Sequence, residues 1–229
     1  MPNKKIIITG GAGFVGTNLI LLLLKKTNYK IISLDNYSSG KKKNHIKNHR
    51  VKYLKGNTVN ISKIIKKPKE ISAVFHFGEF ARIYQSFLNM NECIDSNTVG
   101  SNAIFNFCLK NKIKLIYSAT SASLGNKGND KNLSPYAFSK SKNLELLENL
   151  KKWFKFKYEV IYFYNVYGPH QICKGHMSTV IGIFEDQYKN KKTLTVVRPG
   201  SQSRRFTHIS DTVETVSYTH LTLPTTPYV

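Results

Sequence analysis

The chain has 229 residues, 41% of them hydrophobic, with 35 Lys and Arg against 13 Asp and Glu and a formal charge of +22 at pH 7. That apolar content supports one sizeable core, or one core and the beginning of a second, and excludes a disordered chain. So large a positive charge raises the question of a nucleic-acid partner. The lysines, however, are scattered from position 4 to position 192, with one dense run at 41–43, and read as a solvated basic surface. We therefore expect no nucleic acid as partner. Cys93, Cys108 and Cys173 stand far apart without a metal-ligand spacing, so neither a disulfide framework nor a metal is expected, and a reducing cytoplasmic setting fits. Glycines interrupt the apolar stretch near the N-terminus, and the leucine-rich run at 19–24 is too short to span a bilayer, so the reading is of a protein without a membrane segment.

Short β-rich apolar runs alternate with longer helical patterns along the chain. Residues 4–9 read as a strand, a helix begins near Phe14, and strands follow at 30–34, 51–54 and 73–77. A helix lies within 89–110, then come a strand at 115–118, a helix after Pro135 and a strand at 159–163. Strands apolar on both faces, alternating with helices, predict an α/β fold: a doubly wound parallel sheet of Rossmann type with helices on both faces. From 216 to 229 the pattern breaks. No Lys, Arg, Asp or Glu occurs there, threonine and proline dominate, and the run 216–225 resembles a translated adapter used in sequencing libraries, so this stretch is read as a non-native tail.

The first strand leads directly into Gly10-Gly-Ala-Gly13-Phe-Val-Gly16 and then into a leucine-rich helix. Gly10 permits a tight turn, Gly13 lets the backbone approach a diphosphate, and Gly16 lets the helix pack on the strand. The unpaired amides and the positive end of the helix dipole then face the phosphates. Asp35 ends the second strand about twenty residues further on, where a carboxylate can accept hydrogen bonds from an adenosine ribose. Its negative charge repels a 2′-phosphate, which favours NAD over NADP.

Tyr136 and Lys140 stand four apart after Ser134-Pro135, which looks like a helix start, so both face the same way. Upstream, the strand at 115–118 runs into Ala119-Thr120-Ser121-Ala122, placing hydroxyls at the C-terminal end of a parallel strand, where open α/β sheets bind ligands.

Together these motifs resemble the extended short-chain dehydrogenase/reductase family of NAD-dependent epimerases and dehydratases, and most of all its nucleotide-sugar (UDP-hexose) 4-epimerases. The resemblance runs from about residue 4 to 214. Besides the glycine loop, Asp35, Thr120, Tyr136 and Lys140, it is carried by His76-Phe77, Asn97, Tyr164-Asn165-Val-Tyr-Gly-Pro169, and Arg204 with Phe206-Thr-His208-Ile-Ser-Asp211. It implies an NAD-binding domain over 1–168, the start of an incomplete substrate-binding subdomain over 169–215, and the tail over 216–229. It also implies that Phe14 and Val15 give amides to the diphosphate and that Asp35, Asn36, Asn57 and Thr58 hold the adenosine side. Phe77, Gly78, Asn97, Tyr136, Lys140 and Tyr164 would line the cofactor. Tyr136 would be the general base that takes a sugar hydroxyl proton while hydride passes to the nicotinamide. A phenol ordinarily titrates near 10, so Lys140 and the oxidised nicotinamide would supply the positive charge that makes this possible. Thr120 would hold the reacting oxygen, and Asn165 and Arg204 the substrate diphosphate. The substrate implied is a nucleotide-diphosphate sugar, and the full-length protein is expected to be a homodimer, with the helix within 89–110 and the helix after Pro135 facing their copies.

Several positions depart from the family pattern. Ser121 and Ala122 replace the acids that follow the catalytic Thr in dehydratases and decarboxylases, which favours 4-epimerisation over 4,6-dehydration or net reduction. A non-catalytic dinucleotide-binding scaffold is the remaining alternative, and the intact Thr120, Tyr136 and Lys140 count against it. Asn57 stands in place of the usual Asp, Leu124 and Arg205 in place of a usual Tyr and Asp, and the loop at 125–134 is short. Gly78-Glu79 replaces a small pair after His76, and a carboxylate there is unhelpful to a diphosphate unless it points away.

Overall fold

A computed structural model of the protein describes residues 4–221. Strands β1 (Lys5–Thr9), β2 (Lys30–Asp35), β3 (Val51–Lys55), β4 (Ile71–His76), β5 (Lys114–Thr120) and β6 (Tyr158–Phe163) form one parallel sheet in the order β3-β2-β1-β4-β5-β6. Helices are α1 (Phe14–Lys26), α2 (Ile61–Ile64), α3 (Ile83–Leu88), α4 (Met90–Ile94), α5 (Ser101–Lys110), α6 (Pro135–Phe154), α7 (Val180–Lys189) and α8 (Ile209–Leu221). The order makes this the doubly wound Rossmann architecture the sequence predicts.

The unbroken run Ile6-Ile7-Ile8 shows why the strands read as apolar on both sides. Ile6 and Ile8 pack with Leu19, Ile20 and Leu23 of α1, while Ile7 packs on the opposite face with Ile104 and Phe105 of α5 and Leu147 of α6. All three isoleucines are fully buried. A strand covered by helices on both faces gains from apolar residues at every position instead of every second one.

The expected helix within 89–110 is interrupted. Residues Asp95–Gly100 form a π-helical turn between α4 and α5. Such a turn inserts extra backbone into a helix and is often found at functional sites. Here it carries Asn97 inward.

The second half of the chain contains what the sequence reading did not predict. Strands β7 (Asn165–Tyr167) and β8 (Phe206–His208) form a separate parallel pair, too short to leave an alternating pattern. Helix α8 covers the α1 side of the sheet with Ile209, Val213 and Val216, spaced for one helix face and buried in the same cluster as Ile6 and Ile8. Lys26 of α1 pairs with Glu214 of α8 at 2.7 Å. The boundary expected at Thr215 therefore falls inside a packed helix, and residues 222–229 of the expected tail lie outside the described residues. Among the described residues no helix is long and apolar enough to cross a membrane.

Candidate active site

The strand order reverses at β1, which has β2 on one side and β4 on the other, and this is where a doubly wound sheet opens a crevice at its C-terminal edge. The glycine turn fills that position. Gly10 has φ of 68°, and a Cβ there would stand 2.9 Å from the Gly78 amide nitrogen, so the turn after β1 and the turn after β4 touch through backbone. A Cβ on Gly16 would come within 2.3 Å of the Gly10 carbonyl oxygen, so only glycine lets α1 start so close to the turn. Gly13 caps α1 without a side-chain hydrogen bond, and the first turn carries no acid. The amides of Phe14 and Val15 and the positive end of the helix dipole are thereby left to an anionic group.

Asp35 reaches this turn as well. It is buried, one carboxylate oxygen accepting from Ala12 N at 2.9 Å and the other from Tyr37 N at 2.8 Å. The carboxylate thus fixes the glycine turn and keeps lone pairs for a ribose. Asn36 is exposed beside it and accepts from Ser38 N. Asn57 accepts from Val59 N and from the Thr58 hydroxyl, both at 3.3 Å, and Thr58 is buried against Gly100. Phe77 donates its amide to Thr9 and tilts against Phe163. Tyr164 is exposed just beyond β6.

Asn97 is fully buried and its amide is occupied internally. Its Oδ1 accepts from Phe80 N at 2.7 Å, and its Nδ2 donates to Phe80 O at 3.0 Å and Ser139 Oγ at 3.2 Å. The π-helical turn presents it to the loop after β4, which it holds in place.

Thr120 ends β5, accepting from Ala122 N at 3.2 Å, and the chain turns away through Ser121 to Ser123. Helix α6 begins at Pro135 with Ser134 as its N-cap, whose hydroxyl accepts from Ala137 N at 3.0 Å. Tyr136 lies in the first turn, partly exposed, and its amide donates to Ser86 Oγ. Lys140, one turn on, is buried.

The ammonium of Lys140 does not stand free. It forms an ion pair with Glu79, donates to Ser118 O and Ser118 Oγ, and sits 4.7 Å from the centre of the Tyr117 ring. Glu79 points away from the glycine turn into the core, with its side chain 2% exposed. Besides Lys140 it accepts from Ser101 Oγ at 2.7 Å, Tyr117 OH at 3.1 Å, Ser118 Oγ at 3.3 Å and Asn143 Nδ2 at 3.4 Å. Burial by itself raises a carboxyl, but the Lys140 charge and the hydrogen bonds from Lys140 and Ser101 outweigh it and hold Glu79 below the usual range. Sequence reasoning marked Glu79 only as an oddity; the available signal was an acid in the turn just after an otherwise apolar strand. It missed Arg82 altogether, whose Nε donates to Met177 O at 2.8 Å and whose guanidinium is lowered by burial and raised by Tyr136.

His76 closes the network between Thr9 Oγ1 at 2.7 Å and Ser101 Oγ at 3.0 Å. Burial, helped by Lys140 and opposed by Glu79, pushes it down to about 4. It is therefore neutral near pH 7, and its 3.9 Å approach to Glu79 is not an ion pair there. The sign for stability follows. The unfolded chain takes up a proton near 6.5 while the folded chain refuses it until about 4, so stability falls as pH drops through that window. The expected loss is about 3 kcal/mol. Comparing urea midpoints of the native chain and His76→Gln across the same window checks it; equal slopes in the two proteins would contradict it.

Beyond β6, Asn165 of β7 donates to Arg205 O at 2.9 Å, tying β7 to the segment before β8, and the exposed Arg204 precedes Arg205 there. Asn165 and Arg204 are thus brought to the same end of the β7–β8 pair. Among the described residues no group of acids, histidines and cysteines could hold a metal ion, and Cys93, Cys108 and Cys173 are free thiols.

These elements define the class as a dinucleotide-binding α/β fold with a Tyr/Lys helix beside its crevice. The chain belongs to the NAD dependent epimerase/dehydratase family, which it matches over residues 6–224. It is 29% identical to a dTDP-D-glucose 4,6-dehydratase of Dictyostelium discoideum, over 92% of this chain and 54% of that protein. It is 28% identical to a putative UDP-glucose 4-epimerase of Methanocaldococcus jannaschii, over 90% of this chain and 70% of the relative. Among solved structures, UDP-N-acetylglucosamine 4-epimerase from Methanobrevibacter ruminantium M1, in complex with UDP-N-acetylmuramic acid, superposes with a TM-score of 0.83 at 27% identity, over 93% of this chain and 72% of that one. The chain thus spans about half of one curated relative and about seven-tenths of the other.

Proposed function

We propose that the protein is an NAD-dependent nucleotide-sugar 4-epimerase, inverting a sugar carbon through a keto intermediate. The observation that carries this reading is the end of β5. Thr120 is followed by Ser121, Ala122 and Ser123, so no carboxylate follows the strand to drive elimination or assist decarboxylation. The D. discoideum relative favours 4,6-dehydration as a second reading. Against it, the carboxylate that packs on β5, Glu79, is held inward by Lys140 and four other donors.

The glycine cradle fits a diphosphate: bare backbone at Gly10, Gly13 and Gly16, an uncapped helix start, and no acid in its first turn. Gly10, Gly13, Phe14, Val15 and Gly16 would hold the diphosphate, with Asp35, Asn36, Asn57 and Thr58 at the adenosine and Phe77, Gly78 and Tyr164 along the crevice. Bound NAD supplies a two-electron acceptor that is regenerated within each turnover. Tyr136 takes the proton from the sugar hydroxyl, Lys140 supplies the positive charge that favours its phenolate, and Thr120 orients the reacting oxygen. Asn165 and Arg204 hold the sugar nucleotide diphosphate.

The setting proposed is the cytoplasm and the assembly a homodimer. Exposed Phe87, Leu88, Met90 and Val99 on α3, α4 and the π-helical turn, and Trp153 and Phe154 at the end of α6, leave apolar surface for a second copy. The test is purification followed by assay with UDP-hexoses. We expect retained NAD, interconversion of a hexose pair without accumulation of a keto-sugar, and a dimer in sedimentation. A keto-deoxysugar product would move the assignment to a dehydratase, and a folded protein without dinucleotide affinity would remove the enzyme reading.

A further inference from the structure

The turn after β4 buries an acid against the lysine of α6. Glu79 and Lys140 form an ion pair with side chains 2% and 4% exposed. Every contact of the ammonium is with Glu79, Ser118 or the Tyr117 ring face. We propose that Glu79 is a positioning residue for the proton transfer at Tyr136, clamping the Lys140 ammonium against the end of β5 and setting how much of its charge reaches the phenol. The inference rests on the assignment of Tyr136 and Lys140 given above.

Two arguments carry it. The first is geometric: an unbranched lysine side chain has several rotors, and one fixed acceptor with a packed surround removes most of their freedom. Glu79 is itself fixed, since Ser101 from α5, Tyr117 and Ser118 from β5, and Asn143 from α6 all donate to it. The second is charge balance. His76 on β4 is neutral near pH 7, and burial raises both the Tyr117 phenol on β5 and the Cys93 thiol on α4, so these also stay uncharged. Among the described groups facing Glu79, Lys140 is then the one counter-charge. By Coulomb's law a carboxylate at the ammonium opposes its charge at any nearby phenol, and the Arg82 guanidinium, whose own value Tyr136 raises, is a second cation on that side. A purely structural role predicts the clamp but no influence on the phenol.

Titration of phenolate absorbance separates the two, with Tyr136→Phe in each background to isolate the Tyr136 transition. Removing a buried negative charge lowers the proton affinity of everything near it, so Glu79→Gln should move the Tyr136 midpoint to lower pH by about one unit or more. Neutralising both partners, in Glu79→Gln/Lys140→Gln, should bring the midpoint back toward its native position. If Glu79→Gln does not fold, Lys140→Gln is compared with the double variant, where loss of the carboxylate must again lower the midpoint. A midpoint unmoved or raised on removal of the carboxylate overturns the proposal. Undiminished sugar turnover in Tyr136→Phe would instead remove the base assignment itself, which the titration of Glu79→Gln does not decide.

Discussion

Under the proposed epimerase chemistry, Tyr136→Phe should reduce sugar turnover by about two to four orders of magnitude, the range a positioned acid–base group contributes, and leave folding and NAD affinity nearly unchanged. The substitution is clean because the Tyr136 hydroxyl is hydrogen-bonded to no described residue, while the backbone of Tyr136 makes its contacts with Ser86 and Ser139. Removing one oxygen therefore leaves the fold's hydrogen bonds intact, and the lost rate reports chemistry. Steady-state turnover, NAD fluorescence titration and a urea melt on the same two proteins check the three parts. A variant within a few-fold of native turnover would mean that another group takes the proton, and the Tyr/Lys reading would fail. A variant that lost dinucleotide affinity instead would assign Tyr136 to binding.

What the sequence made legible follows from how strongly each feature constrains the chain. Ile6-Ile7-Ile8 must face helices on both sides of a sheet, so the parallel architecture was readable from residue type alone. Gly10, Gly13 and Gly16 were readable because side chains at Gly10 and Gly16 would strike backbone, leaving no neighbour that could yield. Strands β7 and β8, of three residues each, carry too little pattern to be seen. Helix α8 was obscured by the compositional break at 216, although Val213 and Val216 continue the spacing begun by Ile209. The π-helical turn that carries Asn97 into the core was not readable, because it has no signature in one sequence. The same holds for Glu79 and Lys140. Sixty-one positions separate them, and only the fold, which brings the turn after β4 beside α6, makes them partners.

That partnership carries the largest expected effect on stability. Lys140→Met should destabilise the fold by about 3–5 kcal/mol near neutral pH, because it leaves a buried carboxylate without its counter-ion. Two observations set the scale: the Glu79 side chain is 2% exposed, and its remaining partners are neutral donors from Ser101, Tyr117, Ser118 and Asn143. The pH dependence separates this cause from lost packing. In the native protein Glu79 is held below the usual carboxylate range, so its contribution is present above the unfolded value and is lost as pH falls through the folded one. Without Lys140 the balance reverses, since burial then dominates and raises the carboxyl. The folded variant takes up a proton more readily than the unfolded chain, so its deficit against native should shrink on acidification. Replacing both partners, in Glu79→Met/Lys140→Met, removes the uncompensated charge and should restore most of the stability near pH 7. The exposed pair of Lys142 and Glu145 on the same helix provides the contrast, since solvent screens both charges and Lys142→Met should leave the urea midpoint nearly unchanged. A Lys140→Met deficit that stays constant with pH, or that the double variant fails to relieve, would show that the ion pair is incidental to the fold.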